Sequence, residues 1–187
     1  MNTKTKKLSI VSMVLCGMFA ALVAIGAFIQ IPVPYMDYFT LQFFFVLLAG
    51  LILGADKGAI SVGCYVLLGL VGVPIFAAGG GIGYIFRPSF GYLVGFIVSA
   101  YVTGKVCEKL KASYKNYLLA CLAGFVVTYA IGIVYKFIIL NFYAHTPATL
   151  GVIFLSCFPL DMPGDFVLCL LAAGVGLRMR KSGFYLS

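Results

Sequence analysis

Few side chains in this 187-residue sequence can do polar chemistry, and several of them stand where polar groups are costly. Lys136 interrupts the apolar run GIVYKFIILNFY, and Asp165 opens another in PLDMPGDFV. Ionisable groups inside such runs default to functional roles, because burying them in a membrane carries a penalty. A fixed ammonium can neutralise an acid, and a carboxylate can accept strong hydrogen bonds from ligand N–H groups. Arg87, in YIFRPSFGY, presents a planar fork suited to a carboxylate. Gln42 and Asn141 add neutral donors and acceptors at the ends of their runs, while Tyr84, Phe86, Phe90 and Tyr92 supply apolar walls around Arg87. Together these residues suit capture of a small amphipathic acid.

Each of these residues also has a plainer reading. Lys136 falls about 20 residues into its run, about 30 Å along a helix, where a lysine can snorkel to water. Asp165 follows Pro163 closely, and a carboxylate in a first helical turn is stabilised by the helix dipole alone. Arg87 could meet only water or lipid phosphate, and the aromatic residues could form an interfacial belt. Catalysis has little support. His145 is the one histidine, no nucleophile–base constellation is present, and no G-x-x-x-x-G-K-[ST] phosphate loop occurs. The six cysteines lack metal-ligand spacing and read as small apolar residues. Neither an enzyme, a metal site nor a bound cofactor is expected.

The elements that must position these groups are membrane helices. The sequence is 63% hydrophobic and 10% charged, with a mean hydropathy of +1.12. Its apolar runs are continuous and do not alternate, which favours helices over a barrel. The reading is an all-α integral membrane protein of about six transmembrane helices with an irregular Gly-rich outer loop. The expected spans are Leu8 to Ile31, Thr40 to Leu53, Gly58 to Val73, Gly91 to Lys109, Asn116 to Asn141 and Pro163 to Arg180. GADK separates the second and third as a tight hairpin. Thr146 to Phe158 is apolar but short, suiting an amphipathic or re-entrant helix. The first run is too long for a secretory signal core and reads as a retained helix. Residues 1–187 read as one transmembrane domain.

The net charge of +8 does not indicate a nucleic-acid partner, because the basic residues lie in short linkers. Lys4, Lys6, Lys7, Lys57, Lys105, Lys109, Lys111, Lys115, Arg178, Arg180 and Lys181 fall on one side, against Arg87 on the other. This asymmetry places both termini in the cytoplasm of a multi-pass cell-membrane protein. The outer side then holds the stretch from Gly69 to Tyr92, whose glycines and prolines break helix geometry. Irregular backbone at membrane depth must line a cavity or be buried in protein. Gly79 marks the close approach of backbone to a ligand there, and Pro32 and Pro34 shape a loop from Ile31 to Phe39 that could close over it. Ala20 and Ala24, with Gly17 and Ala21 beside them, offer a close-packing face on the first helix.

These features resemble the BioY family, the biotin-specific S-components of energy-coupling factor transporters. The resemblance rests on FAALVAIGAFIQIPVP, on LAGLILGADKGAISVGCYVLLGLVGVPIF, on PSFGYLVGF and on PGD at Pro163 to Asp165, and it covers most of the chain. It implies that biotin is the ligand and that Ala20 and Ala24 face a transmembrane coupling protein carrying two ATPase subunits. For such a ligand the residues themselves offer Asp165 with Asn141 or Gln42 at the ureido end, Arg87 or Lys136 at the carboxylate, and Tyr84 and Gly79 as surrounding surface. The family pattern has a lysine three residues after the PGD aspartate, where this chain has Leu168, and PTGGY is PSFGY here. Lys136 is the candidate replacement for that charge. The alternative from the residues alone is a self-sufficient secondary carrier for a small amphipathic acid, using Lys136 and Asp165 as an ion-linked pair.

Overall fold

A computed structural model describes residues 9–31, 39–144, 146, 148–157 and 161–183. Helix α1, Ile10–Phe28, starts at Ser9, whose hydroxyl accepts from the Ser12 N–H, satisfying a donor that the first turn leaves unpaired. Two short strands follow. Gln30–Ile31 (β1) pairs antiparallel with Phe39–Thr40 (β2), and Leu41 N–H then donates to the Gly26 and Ile29 carbonyls, returning the chain to the end of α1.

Helix α2, Gln42–Leu53, is buried on almost every side, as expected of an all-apolar helix surrounded by others. It contacts α1, α3, α4 and α7. A single residue, Gly54 at φ 81°, joins it to α3, Ala55–Val71. The hairpin is thus tighter than GADK implies, because the left-handed backbone at glycine reverses the chain at once and Ala55, Asp56 and Lys57 are already helical. Helix α3 ends at Gly72, φ 117°, with Pro74 just beyond. The stretch expected to be irregular is partly ordered. Phe76 bridges Gly79, and Ile82–Phe86 forms a short 3-10 turn.

Helix α4, Phe90–Lys109, packs along α5, Tyr114–Ile138. Two of their glycines face the other helix's tyrosines: a side chain at Gly91 would collide with Tyr135 Cβ, and one at Gly132 with the Tyr92 ring at 2.5 Å. Helix α5 runs on through a π-helical turn, Ile139–Tyr143. The short apolar segment that follows is helix α6, Leu150–Cys157. Helix α7, Asp161–Lys181, begins two residues before the expected Pro163. Proline fits in this first turn because its missing N–H would have no partner there.

Among the described residues, four stretches are long and apolar enough to cross a membrane: α1, α4, α5 with its π turn, and α7. Helices α2, of 12 residues, and α3, of 17, are short, as expected of this hairpin, and fall below the about 20 apolar residues of an upright span.

Candidate functional site

Helices α2, α4, α5 and α7 meet around a cavity of about 100 Å³. Its polar wall comes mainly from α7 and α5. Asp161 and Asp165, one turn apart on α7, both line it, as do Tyr129 and Lys136 from α5. The Tyr129 hydroxyl donates to Asp165 Oδ2 at 2.8 Å. One carboxylate oxygen is therefore held, and Oδ1 makes no hydrogen bond to the described residues. The Lys136 ammonium likewise has no ion pair among the described residues. A lysine so placed adds positive charge to the wall without being neutralised by a neighbour.

A second polar group comes from the start of α2. Gln42, 4% exposed, donates from Nε2 to the Tyr65 hydroxyl at 2.6 Å and accepts from Thr40 Oγ1 at 3.2 Å. The Tyr65 hydroxyl in turn donates to the Ile75 carbonyl at 3.1 Å. This chain fixes which way the amide faces and ties α2 to the segment after α3. Phe43 and Phe96, ring centroids 5.9 Å apart, and Tyr92, set edge-on to Tyr129 at 5.8 Å, provide apolar wall. Tyr84 is buried and packs at a tilt against Phe76, ring centroids 4.6 Å apart.

Of the seven residues expected to bind ligand, Gln42, Tyr84, Lys136 and Asp165 come together in this wall. The other three lie outside it. Arg87 is exposed, its guanidinium 5.3 Å from the Tyr84 ring centre, a cation–π contact behind the wall. Asn141 is occupied structurally. Its Nδ2 donates to the Phe137 and Ala148 carbonyls, both at 3.0 Å, and its Oδ1 accepts from Ala148 N–H, joining the π turn to the approach to α6. Gly79 closes the Phe76 turn, whose Ala77 and Ala78 are the residues that reach the cavity. On α1, Ala20 is buried at 7% exposure and Ala24 is half-buried, while Gly17 and Ala21 are the open small residues. Most of the loop from Ile31 to Phe39, and His145, lie outside the described residues.

Asp161 and Tyr129 are not among the expected residues. Asp161 is expected to be solvated, being closer to the loop, but α7 already starts there, which sets it one turn from Asp165 in the cavity wall. The spacing carried a signal, since Tyr129 and Lys136 are seven residues apart, two turns on one helical face. Among the described residues no group of three or more His, Cys, Asp or Glu could hold a metal. The arrangement suits a small ligand with N–H donors at the carboxylate, an apolar body, and an anionic group at the ammonium.

The sequence profile of the BioY family matches residues 1–183. The chain is 39% identical to the probable biotin transporter BioY of Lysinibacillus sphaericus, over 94% of this chain and 90% of that protein. It is also 39% identical to the biotin transporter BioY of Thermotoga maritima, over 88% of this chain and 93% of that one. In three dimensions it resembles the crystal structure of the S-component for biotin from an ECF-type ABC transporter. The TM-score is 0.82 at 25% identity, covering 99% of this chain and 97% of the other.

Proposed function

The chain belongs to the BioY family, and on that premise we infer that it is the biotin-binding membrane subunit of an energy-coupling factor transporter. It is a transport subunit, not an enzyme. The observation that carries this reading is the placing of Asp165, braced by Tyr129, and Lys136 in the wall of one largely apolar cavity. Biotin has two ureido N–H groups, an apolar bicyclic body and a carboxylate. The free Asp165 oxygen accepts from the ureido N–H groups, and Gln42, already oriented, serves the same end of the ligand. Lys136 neutralises the carboxylate. It replaces the family's lysine position, here Leu168, which is 6% exposed and packed in the core. Arg87 supplies outer positive charge behind Tyr84, and Gly79 and Asn141 hold the shape of the cavity mouth.

In this reading α2 and α3 complete six spans as a short hairpin, both termini lie in the cytoplasm, and the cavity opens on the outer side. Transport energy comes from a coupling protein and its two ATPase subunits, met by α1 at Ala20 and Ala24 with Gly17 and Ala21. Calorimetry on the purified protein in detergent, with biotin, desthiobiotin, thiamine and riboflavin, tests ligand identity. Biotin should bind most tightly, and stronger binding of a neutral or cationic vitamin would refute the assignment. Ala24→Trp should block uptake in cells with the whole transporter while leaving biotin binding in detergent intact. Biotin accumulation by the chain alone in liposomes would instead identify a self-sufficient carrier.

A further inference from the structure

Gly164 precedes Asp165 in the first turn of α7, yet it is not itself a wall residue. A Cβ built there would stand 2.5 Å from Cε2 and 2.7 Å from Cζ of Phe39. Phe39 does line the cavity. Its backbone is held on both sides: it pairs with Ile31 in the two-stranded ladder, and two residues on, Leu41 is bonded to the end of α1. A methyl group at 164 therefore cannot be relieved by moving the Phe39 backbone without breaking that ladder. The ring must swing, and the ring is cavity wall. Close packing transmits a one-carbon change directly to such a neighbour.

We propose that Gly164 is a positioning residue for ligand binding, acting as a seat for the Phe39 ring and thereby setting the space available to the ligand. This rests on the biotin-binding reading above. Gly164 acts through Phe39 and needs no contact with the ligand. Its backbone is not left-handed, so alanine is conformationally acceptable there and is the better helix former. The two consequences of Gly164→Ala therefore run in opposite directions. The helix should be no less stable, while the ligand space is altered with Asp165, Lys136 and Gln42 all retained. A glycine kept only for helix packing would lose stability and affinity together.

The experiment is calorimetric binding of biotin to the purified chain in detergent, with thermal unfolding of each variant. Gly164→Ala should weaken biotin binding by about tenfold, the scale of an overpacked contact, with no fall in Tm. In a Phe39→Leu background, which lacks the two ring atoms that collide, the same alanine should have little further effect. Unchanged affinity in Gly164→Ala, a fall in Tm alongside the loss of binding, or an undiminished penalty in the Phe39→Leu background would each overturn the proposal. Failure of the unaltered chain to bind biotin would instead refute the biotin reading, and this inference with it.

Discussion

The two ends of α2 use glycine in different ways. Near Gly54, glycines meet backbone. A side chain at Gly50 would stand 2.5 Å from the Ala100 carbonyl, one at Gly58 3.0 Å from the Ala49 carbonyl, and one at Gly104 would enter the backbone of Gly54 and Ala55. Around the cavity, two glycines meet rings, Gly132 against Tyr92 and Gly164 against Phe39, although Gly26 still meets the Gln42 backbone N at 2.9 Å. A ring can rotate away, whereas helix backbone cannot move without loss of its hydrogen bonds. The first end is thus a rigid clasp, and the second is adjustable where rings form its wall. Glu108 adds to the clasp, its Oε1 accepting the Ala55 N–H at 2.9 Å across from α4, where a carboxylate also suits the positive end of α3.

Substitutions at the two ends should separate along this line. The largest effect is expected for Gly104→Leu, which forces backbone apart at the clasp and should cost about 3 kcal/mol or more of stability. Loss of monodisperse folded protein in detergent would record it, and a well-folded variant would break the comparison. Asp165→Asn leaves the fold but replaces a charged acceptor, so biotin affinity should fall about 100-fold by calorimetry with little change in Tm. Lys136→Met should weaken biotin by about tenfold and spare Tm; unchanged affinity would make Lys136 a snorkelling residue. Glu108→Ala should be the mildest, costing about 1 kcal/mol through the lost cap on α3. Its biotin affinity should be unchanged, and a marked loss of binding would mean the two ends are coupled.

Much of this architecture is readable from residue order. The apolar runs mark every helix, and the expected α4 and α2 boundaries lie within two residues of those observed. The deviations have local causes. Gly54 turns the α2–α3 hairpin in one residue, and α7 starts at Asp161 because its first turn can contain Pro163. In the site, Lys136 and Asp165 stand out because charge is rare in apolar runs. Arg87 and Asn141 stand out equally well, yet one lies behind Tyr84 and the other is bonded within its own chain segment. Residue type signals that a polar group needs a partner, and it does not say whether that partner is ligand, backbone or solvent. Tyr129 gives the converse case. It reads as one more aromatic residue in a membrane helix until α7 brings a carboxylate to its hydroxyl.

The sequence by itself determined that this chain is a bundle of membrane helices of the BioY family, because hydropathy sums along the chain and the YVLLGLVGVPIF and PGD motifs are local. Only the tertiary structure decided which polar groups share a cavity. That choice depends on how far each helix is rotated and at what depth it sits, and these are set by contacts between residues distant in sequence: Gly132 receiving Tyr92, Gly164 receiving Phe39, and Gln42 bonded to Tyr65. Such contacts are fits between two elements at once, and no single segment contains the information to specify them.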